Sequence, residues 1–568
     1  MSASSTAPVA QAQAPARPGA TAAHYGLVAV LALGVLAYLN ALNAFWVGDD
    51  FNYVVPKALD TVLNFANPVG RAQFRPLGWI SWVIDYTLYG PIPLGWHLTS
   101  LALHLANTLL IVLLLRRLAR HWWPQDSAAR TWVPLVAGAF FAVHPAHPEA
   151  VTWISARFDL LAGLGTFLAC WAFVHWRDGG PRGFYILTWL AAWWAMMSKE
   201  SGLLVPLALL LIDLALGTAQ GRRLWAAGEW GALLRTAGGV LLRAGLALLA
   251  MSALLALLGR DGGRALPLVV LLAGLALPPP QRTADHPGGG WLLRLGRVHA
   301  PFLGMAAAYA GLRVGMALTG QGRLMYGAET HLQFGPSRLL DSAAGYLLIG
   351  LGAWDAPAWV AGWPVAVKLG LVLVALVLAG YAVRRLGRPA LFAALWVPAT
   401  ALLTFDAAAD RWFYIPSFGF CLLAAELLYL AGRARPLVRT VPATALILLW
   451  LGLTLAANTR WVESGEVARG IINQIRAFHP DLPRPATFYL ANPPYSYNGI
   501  LLFNTGYQVA PNFAYQDYRT IHTYIVDPPA PLPADLGPHP VFLRYEAGRM
   551  VEYPTLAALI AAQTAPAP

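Results

Sequence analysis

Between Leu27 and Leu455 one feature recurs: apolar blocks of roughly 15 to 24 residues, each long enough as a helix to cross a ~30 Å hydrocarbon core. In lipid every backbone amide must be satisfied inside the chain, so only helices or a closed barrel can span. The blocks lack the period-two alternation of barrel strands, which leaves helices. Asp, Glu, Lys and Arg make up 12% of the 568 residues, against about 25% in soluble domains, so an ordinary soluble enzyme is excluded.

Basic residues set the orientation. Arg116, Arg117 and Arg120, Arg177 and Arg182, Arg222 and Arg223, Arg294 and Arg297, Arg384, Arg385 and Arg388, and Arg433, Arg435 and Arg439 punctuate the blocks, and the positive-inside rule makes these loops cytoplasmic. The net charge of +12 is thus a topology signal, and no nucleic-acid partner is expected. Most carboxylates fall in the alternate loops, at Asp49, Asp50, Glu149, Asp159, Glu200, Glu329, Asp406 and Asp410, which must face the other side. About 13 transmembrane helices follow over residues 24–457 of a multi-pass cell-membrane protein, including spans near 235–258 and 265–277 with a cytoplasmic loop at 278–290. Segments 76–90 and 339–352 read as re-entrant or lying on the membrane.

Residues 1–23, rich in Ala, Pro and Ser, are expected to be a disordered cytoplasmic N-terminus. The first span lacks an A-x-A cleavage site and is expected to be retained. Cys170 and Cys421 lie inside apolar blocks and read as buried thiols. Beyond Asn458 the sequence turns polar, with a helix-like stretch 461–478 and strand-like runs TFYLAN, GILLF, TIHTYIVD and VFLRYE. This predicts a small extracytoplasmic α/β domain over 458–568, expected to influence acceptor choice without performing chemistry.

Four clusters of ionisable residues fall at outer helix ends: GDDFNYV (48–54), HPAHPEAVTWISARFDLLA (144–162), SKESG (198–202) and FDAAADRWFYIPSFGF (405–420). Charges at membrane depth are costly and normally face a cavity or a partner. Asp49 and Asp50 are adjacent and repel, so one can keep a raised pKa suited to proton abstraction while the other stays ionised or binds a metal; a solvated acidic pair is equally open. The prolines around His144, His147 and Glu149 favour a hydrogen-bonding cluster over a zinc site. Lys199 with Glu200, and Asp410 with Arg411, read either as internally neutralised pairs or as substrate contacts. Arg411 and Arg75, the latter in FRPL, are the best anion ligands, because a guanidinium offers a fork to phosphate.

The acidic pair after the first span, FRPL followed by WHLTSLALHLANTLL, HPAHPEAVTWISARFDLLA, SKESG and DRWFYIPSFGF, in this order, resemble the C-type glycosyltransferases (GT-C). The likeness is strongest to the membrane half of the transmembrane and tetratricopeptide-repeat O-mannosyltransferases and their bacterial relatives, over about residues 25–457. It implies a GT-C-like fold with Asp49 as catalytic base and Asp50 beside it. It places Arg75, Arg157, Arg411 and Tyr414 at the donor phosphate, and His144, His147, Glu149, Asp159, Lys199, Glu200 and Asp410 among the substrate contacts. Ala156 stands where the family often has Gly, Asp410 where it has Glu, and the domain after Asn458 takes the place of the repeats.

The expected activity is an inverting glycosyltransferase. It would move a hexose, mannose by resemblance, from a polyprenyl-phosphate donor to an acceptor hydroxyl on a protein or an envelope glycan or lipid outside the membrane. Phosphate leaves readily, so no general acid is demanded and the chemistry needs a cation for its charge and a carboxylate for the acceptor proton; no cofactor is assigned, and a divalent metal is left open. The alternative is a polytopic transporter or a flippase for lipid-linked sugars, which would place ionisable groups near the bilayer midplane and often carry inverted repeats.

Overall fold

A computed structural model describes residues 18–54, 74–216, 291–318, 336–404, 408–527 and 535–564. The expected spans 235–258 and 265–277, the loop 278–290, and Arg222, Arg223, Glu329 and Asp406 lie outside these residues.

Proline starts several of the helices, since its fixed φ suits the first turn and its missing amide would be unpaired there. Helix α1 (Pro18–Tyr38) opens this way, ahead of the boundary expected at residue 24. So do α2 (Pro76–Tyr89) and α3 (Pro93–Trp122), divided by Gly90 at φ +56°. Next comes α4 (Ser127–Ala142), whose first turn is capped by Asp126 accepting from Ala129 N at 3.0 Å. The remaining long helices are α5 (Arg157–Arg177), α6 (Gly183–Ser198), α7 (Val205–Leu216), α8 (Trp291–Leu318), α9 (Pro336–Leu351), α10 (Val365–Leu386), α11 (Arg388–Ala401), α12 (Ser417–Ala431) and α13 (Pro436–Phe478).

Among the described residues, five helices are long and apolar enough to cross a membrane: His24–Ala41, Pro93–Trp122, Ile154–Arg177, Val365–Leu386 and Pro436–Phe478. This is a membrane protein. Of the other expected spans among the described residues, those near 132–145, 184–197, 202–217, 389–405 and 415–431 correspond to helices of 12 to 16 residues and that near 300–318 lies within the 28-residue α8; α2, in the segment read as re-entrant, has 14 residues and rises about 21 Å against a core of ~30 Å. Helix α5 is central, and it packs on α6 so closely that a Cβ at Gly165 would lie 2.6 Å from Ala195 N. In α10, by contrast, Leu373, Val377 and Leu378 are exposed, as lipid contact requires.

Ion pairs mark both ends of this bundle. Arg157 starts α5 and pairs with Asp85 of α2, while Arg177 at its far end pairs with Asp213 of α7. Twenty residues of helix separate the two, about 30 Å, the thickness of the apolar core. Between them α5 buries Leu160, Phe167, Cys170 and Phe173.

Helix α13 does not stop where composition changes. It runs 43 residues, about 65 Å, through Asn458 and out of the bundle, because nothing between Ala457 and Trp461 breaks a helix. Its final third carries Ala468, Ile471, Ile472 and Ile475 against a four-stranded sheet in the order β4-β1-β5-β6. The strands are β1 (Ala486–Ala491), β4 (Ile521–Val526), β5 (Pro540–Glu546) and β6 (Arg549–Tyr553); a separate hairpin joins β2 (Ser496–Tyr497) to β3 (Ile500–Leu501). Central β1 pairs parallel with β4 and β5 and is buried at every residue: Phe488 and Leu490 face α13, and Tyr489 and Ala491 face α14 (Leu556–Thr564). Strand β6 went unforeseen because its turn, Ala547-Gly548, lacks an Asn-Gly or Asp-Gly signature, although both residues have positive φ.

Candidate active site

The acidic loop turns at Gly48, φ +60°, and its two carboxylates part company. Asp50 points inward and is 2% exposed. It accepts from Val47 N at 3.2 Å, from Ser155 N at 2.8 Å and from the Ser155 hydroxyl. Burial pushes the Asp50 carboxyl up to about 7 despite these bonds, and the neighbouring Asp49 charge adds to the rise. Asp49 is half-buried. The raised acid of the pair is therefore Asp50, with both oxygens occupied by the protein.

The other three clusters meet the same end of the bundle as ion pairs. The Arg75 guanidinium holds Glu200 at 2.7 Å, and Arg313 reaches that carboxylate at 3.1 Å. Burial alone would raise Glu200, but the two guanidinium charges hold it down to about 2. Lys199 Nζ lies 2.5 Å from Asp159. Burial, with the charges of Arg75 and Arg411, pushes Lys199 down to about 8 against the pull of Asp159. Arg75, Lys199 and Arg411, from three separate motifs, thus share one field.

Arg411 donates from its backbone amide to Glu149 Oε2 at 2.8 Å and pairs with Oε1 through its guanidinium. Its side chain keeps 21% exposure. The guanidinium sits over the rings of Trp153, 5.2 Å away, and Trp412, 5.1 Å away. The Trp153 indole donates in turn to Val47 O at 3.3 Å, so one aromatic side chain spans from Arg411 to the acidic loop. Asp410 is half-buried and accepts from Asp355 N at 3.2 Å; burial and the Glu149 charge hold its carboxyl well above the ordinary range.

Arg157 and Tyr414, carried over as phosphate ligands, are fully buried and bonded to the protein itself. Arg157 pairs with Asp85 at 2.5 Å and donates to Trp96 O at 2.9 Å and Ser100 Oγ at 3.3 Å. The Tyr414 hydroxyl accepts from Asn107 Nδ2 at 3.0 Å and lies 2.9 Å from His104 Nδ1. His144 and His147 are likewise 0% exposed. His144 Nε2 is 3.2 Å from Gly350 O, and His147 Nε2 is 2.9 Å from Ser417 Oγ. Tyr414, His104, His147 and His144 pack together as one buried polar core, apart from the Arg157–Asp85 pair. Among the described residues no three His, Cys, Asp or Glu side chains are grouped to hold a metal ion.

Asp85, Arg313, Ser155 and Trp153 were not singled out from the sequence. Asp85 and Arg313 had a signal, a charge inside an apolar segment, which calls for a partner. Ser155 and Trp153 lie within a quoted motif, but nothing in their spacing marks them.

No protein-family model matches the chain. Protein O-mannosyl-transferase Tmtc1 of Drosophila melanogaster is 33% identical over 202 residues, 33% of this chain and 22% of that protein. The resemblance is to O-mannosyl-transferases. Tmtc2 of the same fly is 31% identical over 206 residues, 33% of this chain and 21% of that protein, and human TMTC2 is 28% identical over 195 residues, 31% and 22%. The chain spans about a fifth of the length of the curated relatives it matches. Among solved structures, ArnT from Cupriavidus metallidurans aligns over 90% of this chain and 86% of its own, with TM-score 0.43 and 15% identity. The archaeal oligosaccharyltransferase AglB from Archaeoglobus fulgidus aligns over 88% and 64%, with TM-score 0.42 and 12% identity.

Proposed function

We propose that this protein is a membrane glycosyltransferase that moves a hexose from a polyprenyl-phosphate donor to an acceptor hydroxyl on the extracytoplasmic face. One observation carries the reading: the Arg411 guanidinium sits over Trp153, whose indole bonds the loop of Asp49, while Arg75 pairs with Glu200, the neighbour of Lys199 in the chain, so that three cations from separate motifs flank the site. The cations take the donor phosphate, with Arg411 the most accessible of them. Asp49 takes the proton from the acceptor hydroxyl, whose oxygen bonds the sugar's anomeric carbon as the bond to phosphate breaks. Polyprenyl phosphate leaves with the electron pair, its charge met by the same cations. With a base and no covalent intermediate, a single displacement inverts the anomeric centre. The named relatives are protein O-mannosyl-transferases, which favours mannose as the sugar and protein as the acceptor. The ion pairs of Arg75, Lys199 and Arg411 belong to the end of the bundle where Arg157 starts α5, whereas a transporter would need such groups near midplane.

The test is transfer from radiolabelled polyprenyl-phosphate mannose by the protein in liposomes. Transfer by the parent and its loss in Asp49→Asn, with donor binding retained, is the expected pair of results. Near-normal turnover in that variant would remove Asp49 from the mechanism. Movement of the intact lipid-linked sugar between leaflets, without transfer, would establish the flippase instead.

A further inference from the structure

The acidic loop is gripped from two sides. On the membrane side Ser155 binds Asp50. On the other side the C-terminal domain does the holding: Gly48 N donates to Leu502 O at 2.8 Å, and Phe51, wholly buried, stacks on Phe503 at 4.9 Å and meets Phe513 edge-on at 5.3 Å. The approach is tight at Gly506, where a Cβ would lie 2.8 Å from Gly48 O and 3.0 Å from Phe51 Cβ. Gly506 is outside the left-handed region, so it is glycine for proximity and not for conformation. Asp49 sits between the two gripped residues, Gly48 and Phe51. The domain is built on α13, which rises unbroken from the bundle.

We propose that the C-terminal domain is a positioning element for the transfer step, with Phe503 and Gly506 fixing where the Asp49 carboxylate stands. This rests on the reading of Asp49 as base. It adds to the expectation of a domain that influences acceptor choice without performing chemistry, because the interface is the acidic loop's own packing. A misplacement of about 1 Å at a reacting group costs on the order of a hundredfold in rate, whereas the phosphate-binding cations lie on other segments and should keep their affinity.

The experiment uses the full chain with Phe503→Ala, Phe503→Leu, Gly506→Ala and Gly506→Val, and measures kcat, the Kd for polyprenyl-phosphate mannose, and hydrogen exchange at the Gly48 amide. Phe503→Ala and Gly506→Val should lower kcat roughly ten- to a hundredfold with Kd unchanged within about twofold, and should speed exchange at Gly48 while α5 stays protected. Phe503→Leu, which keeps most of the apolar contact, and Gly506→Ala, whose single Cβ displaces Gly48 less than the branched valine does, should fall between these and the parent. Unchanged kcat would overturn the proposal, as would parallel losses of kcat and donor affinity with faster exchange throughout. A parent without transfer activity would sink the transferase reading instead, and unaltered Gly48 exchange in the variants would then sink the clamp as well.

Discussion

Asp50 makes the sharpest test of the loop's electrostatics. Its carboxyl stands at about 7 in the folded protein against an ordinary 3.8, mainly through burial. Between those values the native state holds a proton that the unfolded chain has released, so stability falls as pH rises. The contribution is fully present below the ordinary value and lost by about pH 7. At 1.36 kcal/mol per unit the three-unit shift amounts to about 4 kcal/mol, of which ~3 kcal/mol is lost between pH 4.5 and 7. Asp50→Asn abolishes this titration. Its amide meets the Val47 N–H donor and costs a pH-independent ~1–3 kcal/mol. Asp410, also raised, slopes the same way in both proteins and cancels in the difference. Lys199, at about 8, and Glu200, at about 2, change charge in the native state outside the window. Denaturant unfolding in micelles, followed by near-ultraviolet circular dichroism at pH 4.5, 5.5, 6.5 and 7, should show the parent losing stability relative to the variant at about 1.2 kcal/mol per pH unit on average, the slope flattening towards pH 7. Parallel curves, with a gap constant within ~0.5 kcal/mol, would refute the reasoning and mean that Asp50 is ionised across the window.

Arg411→Ala should weaken binding of polyprenyl-phosphate mannose roughly ten- to a hundredfold, the loss of a charge-assisted fork, as read by equilibrium binding; unchanged affinity would make Arg411 structural. Removing either partner of the buried Arg157–Asp85 pair strands a charge at 0–2% side-chain exposure, so Asp85→Ala should destabilise by about 3–5 kcal/mol and the double replacement Arg157→Met with Asp85→Leu by much less; equal losses in a melting series would argue against the pair. For orientation, Tyr495→Cys, at 74% exposure on the domain, should react with a membrane-impermeant thiol reagent in intact cells, while Ser127→Cys, exposed at the opposite end, should react only after permeabilisation. The reverse pattern would invert the topology.

Apolar block length, arginine spacing and the order of five motifs were enough to read a helical membrane protein and the segments that meet at one end of it. Each of those signals is local or periodic, and the bilayer turns it directly into structure: a long apolar run must be a helix, and a charge beside it must find a partner or water. Which partner is a different matter. Nothing in a linear spacing says that Arg157 is consumed by Asp85, that Tyr414 packs against His104 and His147, or that Asp50 and not Asp49 is the buried acid, because each follows from how segments far apart in sequence pack. The composition change at Asn458 marked where solvent changes, but helical hydrogen bonds are indifferent to that boundary, and α13 carries on through it. The reach of the last domain back to Gly48 and Phe51, across more than 400 residues of chain, was decided by tertiary packing alone: closing the Gly48 amide onto Leu502 and stacking Phe51 on Phe503 pairs a backbone donor and covers an apolar ring with partners that only the fold brings near.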